Sequence, residues 1–366
     1  MEERQRDLLP DVLKGFGIIM VVLGHCIQSG SGAEYLGNAG YFEDRWYQFI
    51  YSFHMPLFMI ISGYYAWNSV RRAVTAGERK TMIRKKCIYL ITPNVAWKLI
   101  EFVYMFAINS YVYWGFRFFL KDLVLGMLTN FWFLWAILYS FLLVCLMHYR
   151  LRDSVWVYFL IFVAMFFTPD GMALNAYKYM LPYYLIGFYA NKNKERMLST
   201  KIYQEIFQKG RLRNGLAVLV SGIVFWVLFS FFTEDSFIYL TGYKLIGKNY
   251  VVQLQIDLYR FLVGFCGIVF WTLVWRMLLE LHGKRGIVVR VLSYLGRRGL
   301  GIYIISGILV LNVVVPITEG WEPRYVVNLV ETLLVLFASS GIVEVMRRIR
   351  GICRLVGEEH RYGGAK

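Results

Sequence analysis

Ten stretches of mainly apolar residues, separated by short polar loops, run through the chain at 12–29, 47–67, 87–109, 131–148, 155–169, 177–191, 214–232, 251–275, 299–316 and 325–346. Crossing the hydrocarbon of a bilayer takes ~20 such residues in a helix. The pattern therefore predicts an all-α, polytopic integral membrane protein of about ten transmembrane helices. The fifth and sixth stretches are the shortest. Residues 111–130 (YVYWGFRFFLKDLVLGMLTN) mix basic and apolar side chains in a way that predicts an amphipathic segment lying at the interface. The first stretch has no small-residue cleavage site after a short apolar core, so a retained helix is expected there and not a signal peptide. No repeat or soluble domain interrupts the pattern. One transmembrane domain is expected over 1–346, with a short basic cytoplasmic tail over 347–366.

Composition agrees: 58% of residues are hydrophobic, 18% are aromatic, and the mean hydropathy is +0.49. The net charge of +16 over 366 residues would suggest a nucleic-acid partner in a soluble protein. Its distribution removes that need. With the N-terminus cytoplasmic, 30 Lys and Arg fall in cytoplasmic segments and 7 in external loops. The opposite orientation inverts the ratio and violates the positive-inside rule. Both termini are thus expected in the cytoplasm. The five cysteines, Cys26, Cys87, Cys145, Cys266 and Cys353, are scattered and odd in number. They offer neither a disulfide framework nor zinc spacing, so no metal is expected.

Three basic residues, Lys14, Lys98 and Arg260, fall inside predicted spans. Charge at membrane depth costs at least ~2.5–3.5 kcal/mol, so such residues face a cavity or a partner. On the first helix Lys14 and His25 are eleven residues apart, about 20° past three full turns, and share one face. They are about 16 Å apart along the axis, Lys14 toward the cytoplasm and His25 in the external half. Asp11 precedes Lys14 by one turn and can pair with it. Gly15, Gly17 and Gly24 allow a helix or ligand to come close. His25 is read either as a general acid or base in an embedded cavity or as an interhelical hydrogen-bonder. Lys14 is read either as a site cation or as a residue snorkelling to the interface.

Further polar constellations lie on other helices. Pro56 should kink the second helix and free a carbonyl near residue 52, with His54 beside it as a cavity residue or a hydrogen-bonder. Ser62-Gly63 reads chiefly as a packing contact. Asn94, Lys98 and Glu101 share a face, as do Gln253, Asp257 and Arg260. Each triplet is either an internal pair or a cavity lining, and Arg260 is also a candidate anion binder. Phe131-Trp132-Phe133-Leu134-Trp135 is an interface belt or a stacking surface for a sugar ring.

At these residues the chain resembles the acyltransferase 3 family of bacterial membrane acyltransferases, particularly its fucose 4-O-acetylase-like branch. The carriers are Asp11-Val-Leu-Lys14-Gly…Val21-Val-Leu-Gly-His25, Phe53-His54-Met-Pro56-Leu-Phe58…Ile61-Ser62-Gly-Tyr64, Trp132-Phe-Leu134, Leu181-Pro-Tyr183…Ile186-Gly187 and Leu295-Gly-Arg297-Arg298…Leu300-Gly-Ile-Tyr303. The resemblance implies ten helices with both termini inside the bacterial cytoplasmic membrane. It implies transfer of an acyl group, usually acetyl from acetyl-CoA as co-substrate with no permanently bound cofactor, to a hydroxyl of a cell-surface or lipid-linked glycan. The essential histidine of the family maps onto His25. The family's arginine eleven residues earlier is Lys14 here, which keeps the charge and loses the bidentate fork. Ser306 stands where many members carry histidine. No appended hydrolase-like domain is seen, so the membrane domain is expected to act alone or with a partner.

The expected site therefore has His25 as catalytic base, assisted by Lys14. Lys14, Arg84, Lys85, Lys86 and Arg260 are the expected acyl-CoA phosphate ligands. Asp11, His54, Ser62, Tyr64, Trp132, Asp257 and Tyr303 are expected around the cavity and acceptor. Ser62, Tyr64 and Tyr303 are candidate oxyanion donors, and a covalent acetyl-His25 stays open beside direct transfer. The other reading of this polar interior is a transporter or flippase of glycan intermediates. Expected partners are acyl-CoA, a glycan acceptor and the bilayer, with a second copy of the chain as a further candidate.

Overall fold

The computed structural model describes residues 7–30, 40–107, 116–129, 131–200, 211–283 and 286–358. Among them every regular element is helical. The main helices are α1 (Leu9–Gly30), α2 (Arg45–Val70), α3 (Ala76–Ala107), α4 (Phe116–Thr129), α5 (Trp132–Arg150), α6 (Val155–Phe167) and α7 (Leu174–Lys192). They continue with α8 (Arg211–Ser230), α9 (Tyr250–His282), α10 (Ile287–Arg297), α11 (Gly299–Thr318) and α12 (Arg324–Met346). Each apolar stretch falls on one of these helices; residues 108 and 109 of the third lie outside the described residues. The expected amphipathic segment is the short α4, with 111–115 and 130 outside the described residues. By length and composition α1, α5, α9, α11 and α12 can each cross a membrane, which makes this a multi-pass membrane protein.

The distribution of polarity is that of a protein in lipid. Asp11, His54, Lys98, Lys178, Asp257, Arg260 and Glu331 are buried, while Phe337 of α12 is 84% exposed and Leu333 68%. Lipid offers no hydrogen bonds, so polar groups turn inward and apolar ones face out.

Without a hydrophobic force between helices, small residues decide where backbones meet. A Cβ on Gly63 of α2 would fall on the Tyr184 carbonyl of α7, and one on Gly187 of α7 would fall on the Ile60 carbonyl of α2. The same reciprocity joins α1 and α10: Gly15 meets the Leu292 carbonyl and Gly296 meets the Asp11 carbonyl. The freed carbonyl expected at Ser52 lies against Gly264 of α9, whose Cβ would sit 3.0 Å from it.

The turn between α6 and α7 is tied to the segment before α9. Asp170 accepts from Lys178 Nζ at 2.9 Å and from the backbone N–H groups of Tyr243 (2.8 Å) and Lys244 (3.1 Å). Burial pushes this carboxyl up, but the Lys178 ammonium and the two N–H donors outweigh it and hold it below its ordinary value of 3.8. The segment past α12 also packs down: Trp97 Nε1 of α3 donates to the Leu355 carbonyl at 2.7 Å.

Gly63→Val should lower stability by about 3 kcal/mol, because neither backbone can retreat without losing the α2–α7 seam; thermal unfolding of purified protein in detergent measures it. Asp170→Asn should lower stability by about 2 kcal/mol at neutral pH. Because the folded carboxyl is depressed, the wild-type contribution is present above 3.8 and fades as pH falls through the folded value. Stability measured against pH should show that acid limb reduced in the variant.

Candidate active site

Between α1, α2, α3, α5 and the α10–α11 junction lies a cavity of about 1050 Å³. Helical periodicity explains its walls. On α2 Ser62, Tyr65 and Ser69 recur every three or four positions and form one stripe, which Arg72 continues in the turn just past the helix. On α3 the stripe is Glu78, Thr81, Lys85 and Tyr89, with Lys86 beside it. From α1 come Lys14, Ile18 and Val21. The α10–α11 junction adds Arg297, Arg298 and Tyr303, and the C-terminal segment adds Glu358.

The lining is polarised. Lys14, Arg72, Lys85, Lys86, Arg297 and Arg298 gather toward one end with two carboxylates, Glu78 and Glu358. Val21, Met55, Phe58, Phe133, Leu134 and Tyr303 make the other end. Following α2 from Met55 to Ser69 puts roughly 21 Å between these ends at the helical rise of about 1.5 Å per residue. Lys14 pairs with buried Asp11 at 3.0 Å and lies 6.0 Å from the Tyr65 ring. Arg298 has Glu358 at 3.4 Å and Glu344 at 3.7 Å. Lys85, Lys86 and Arg297 have no ion-pair partner among the described residues. Lys86 instead lies over the rings of Tyr89 and Phe141, 5.7 and 5.8 Å away. This end is therefore a surplus of positive charge awaiting an anion.

His25 lies on the α1 stripe that lines the cavity, four residues or about 6 Å beyond Val21. It is half-buried, and its Nδ1 is buried with no hydrogen-bond partner among the described residues. Gly24 beside it is bare against Tyr51, with its Cβ position 3.0 Å from that ring. Tyr51 stacks on Tyr47 at 4.1 Å and meets Tyr239 at 6.4 Å; Tyr239 in turn faces Trp132 at 6.4 Å. Past the apolar end of the cavity there is thus a histidine followed by a cluster of aromatic rings.

Of the residues singled out from sequence, the cavity brings together Lys14, Ser62, Lys85, Lys86 and Tyr303, with Asp11 behind Lys14. His54 is buried, and its Nδ1 is 2.7 Å from the Ile50 carbonyl, which makes it a hydrogen-bonder within α2. Tyr64 misses the lining because it is one 100° step from the stripe. Its carbonyl accepts from Asn191 of α7 at 2.6 Å, and its neighbour Tyr65 lines the cavity. Arg84 points outward and is exposed, one step off the α3 stripe. Trp132 stands beyond the cavity with Tyr239.

Arg260 and Asp257 form a separate, closed cluster. Arg260 is 1% exposed and is ion-paired to Asp257. It also donates to Thr241 Oγ1 at 3.1 Å and to the Gly242 carbonyl at 2.5 Å, between the rings of Tyr179 and Tyr243. Both terminal nitrogens of its guanidinium are held within this cluster, and Arg260 does not line the cavity. Lys98 likewise pairs with Glu101 at 3.4 Å.

Sequence reading missed Tyr65, Arg72, Glu78 and Glu358, and gave Arg297 and Arg298 no role. The three- and four-residue spacing running from Ser62 to Arg72 was the available signal. It also passed over Glu331, a fully buried carboxylate of α12 paired with Arg324 at 3.0 Å.

Residues 8–343 match the model of the acyltransferase 3 family, described as an acyltransferase domain. Among curated proteins the chain is 30% identical over 188 residues to nodulation protein NolL of Mesorhizobium japonicum, covering 50% of this chain and 47% of that one. It is 29% identical over 205 residues to nodulation protein NolL of Sinorhizobium fredii, covering 54% and 52%. The matches thus span about half the length of these relatives. No solved structure matches.

The closed state of the Arg260 cluster gives a prediction. Arg260→Gln should cost about 3–5 kcal/mol of stability by leaving Asp257 buried and unpaired, measured by thermal unfolding. A double variant Arg260→Gln/Asp257→Asn should recover much of that loss, whereas an anion-binding role would give no such recovery.

Proposed function

The chain belongs to the acyltransferase 3 family, and on that premise we propose that it is a membrane O-acyltransferase. It moves a short acyl group, acetyl in the simplest case, from cytoplasmic acyl-CoA to a hydroxyl of a cell-surface or lipid-linked glycan. The observation that carries this reading is the polarised cavity: a cluster of cations at one end, three of them without an ion-pair partner among the described residues, and an apolar throat leading to His25 at the other. A CoA thioester has the same polarity, with phosphates at one end and an uncharged arm ending in the acyl group.

The charge distribution along the chain supports ten spans with both termini in the cytoplasm of a bacterial inner membrane. In that orientation the cationic end of the cavity opens on the side of the basic loops, where acyl-CoA is made. Lys85, Lys86, Arg72 and Arg297 neutralise the phosphates, and Lys14 stands further along the arm. Lys14 serves as a point charge, since it lacks the guanidinium fork. The arm runs along the Ser62–Tyr65 face of α2, and the thioester stops near Val21.

From there the chemistry needs a base. The acceptor approaches from the external side past the Tyr51–Tyr239–Trp132 rings, which suit the apolar face of a sugar. His25 takes the proton of the acceptor hydroxyl. The oxygen attacks the thioester carbonyl, the C–O bond forms, the C–S bond breaks, and the thiolate leaves to be protonated as CoA. Tyr303, at the throat, is positioned to donate to the carbonyl oxygen as charge develops on it. That the Nδ1 of His25 has no partner among the described residues supports a group kept free for proton transfer.

His25→Ala should abolish transfer, with a loss on the order of 10²–10⁴-fold, while acetyl-CoA binding by the purified protein persists. Glycan acetylation in cells lacking the chromosomal gene and carrying either form measures the first, and calorimetry the second. Wild-type acetylation in the variant would remove His25 from the chemistry. Movement of glycan across the membrane without any thioester turnover would favour a transporter instead.

A further inference from the structure

One wall of the throat is a run of rings, the first of which is seated on a bare glycine. Phe58 of α2 lies against the bare backbone of Gly17 on α1: a Cβ there would be 2.8 Å from both Cε2 and Cζ of the ring. On its other side Phe58 meets Phe133 of α5 edge-on, with centroids 6.0 Å apart and planes at 67°. Phe133 meets Tyr303 of α11 the same way, at 6.2 Å and 72°. Val21, Met55 and Leu134, all buried, fill the remaining wall. Such an aromatic chain is close-packed and yields no space without a vacated ring.

We propose that the Phe58–Phe133 pair, seated on Gly17, is the wall that limits the length of the transferred acyl group. The inference rests on the reading of this cavity as an acyl-donor site. With the thioester carbonyl at the level of Val21 and turned toward His25, the acyl chain has one direction left, toward Phe58 and Phe133. A methyl group ends before the rings, and each added methylene must displace one of them. The cationic end holds every CoA thioester alike, so selection falls on this wall alone. Gly17 acts through Phe58 and is a positioning residue.

The test uses the full chain purified in detergent and titrated by calorimetry with CoA, acetyl-CoA, butyryl-CoA and hexanoyl-CoA. Wild type should bind acetyl-CoA more tightly than hexanoyl-CoA. Phe58→Ala and Phe133→Ala should each raise the affinity for hexanoyl-CoA relative to acetyl-CoA by at least about tenfold, the scale on which an apolar pocket discriminates added methylenes. Phe58→Leu, the milder change, should give a smaller shift in the same direction and keeps the test usable if the alanine variants do not fold. Gly17→Ala should push the Phe58 ring into the throat and weaken acetyl-CoA relative to CoA itself. If wild type binds hexanoyl-CoA as well as acetyl-CoA, or if the ratio is unchanged in every Phe58 and Phe133 variant, the wall proposal is overturned and the donor site stands. If wild type binds neither CoA nor any thioester, the donor reading itself fails.

Discussion

The site depends on the bare contact between α1 and α10. At Gly15 and Gly296 the two helices meet backbone to backbone, the Leu292 carbonyl standing where a Cβ of residue 15 would be and the Asp11 carbonyl where one of residue 296 would be. That contact fixes the C-terminal end of α10 beside the first turns of α1. Arg297 and Arg298, which follow Gly296 directly, are thereby delivered to the end of the cavity where Lys14 stands. The Gly63–Gly187 crossing does the corresponding work for α2, turning its Ser62–Arg72 stripe away from α7 and toward α1 and α3. In a bilayer there is little hydrophobic gain in joining two apolar helices, so these close approaches, not burial, set the arrangement.

A second regularity separates structural from chemical charges. Lys98 with Glu101, Arg260 with Asp257, Arg324 with Glu331 and Lys178 with Asp170 are each paired away from the cavity. An unpaired charge at such depth is too costly to keep unless something compensates it. Within the cavity the rule is relaxed: Lys85, Lys86 and Arg297 have no carboxylate of their own among the described residues. The departure is affordable because this end is open to water and to an anionic ligand. The same contrast applies to histidine. His54 is satisfied by the Ile50 carbonyl, while His25 keeps a nitrogen with no partner among the described residues one turn beyond the throat.

Sequence alone determined the helical class, the position of each apolar element and the pairing of Lys14 with Asp11, because these follow from periodicity and from neighbours within one or two turns. It determined that His25 shares a face with Lys14, and the succession of short motifs was enough to suggest the family. It left Arg260 poised between anion binder and structural ion pair, since that choice turns on Thr241, Gly242 and two tyrosines from elsewhere in the chain. It chose Tyr64 over Tyr65 and included Arg84, because a one-residue step on a helix is a 100° rotation and only the neighbouring helices say which direction is inward. Tertiary structure alone brought Arg72, Arg297, Arg298 and Glu358 to one cavity mouth and three aromatic rings to its throat. Those residues lie on segments far apart in the chain, and their meeting is decided by which glycines let which helices touch.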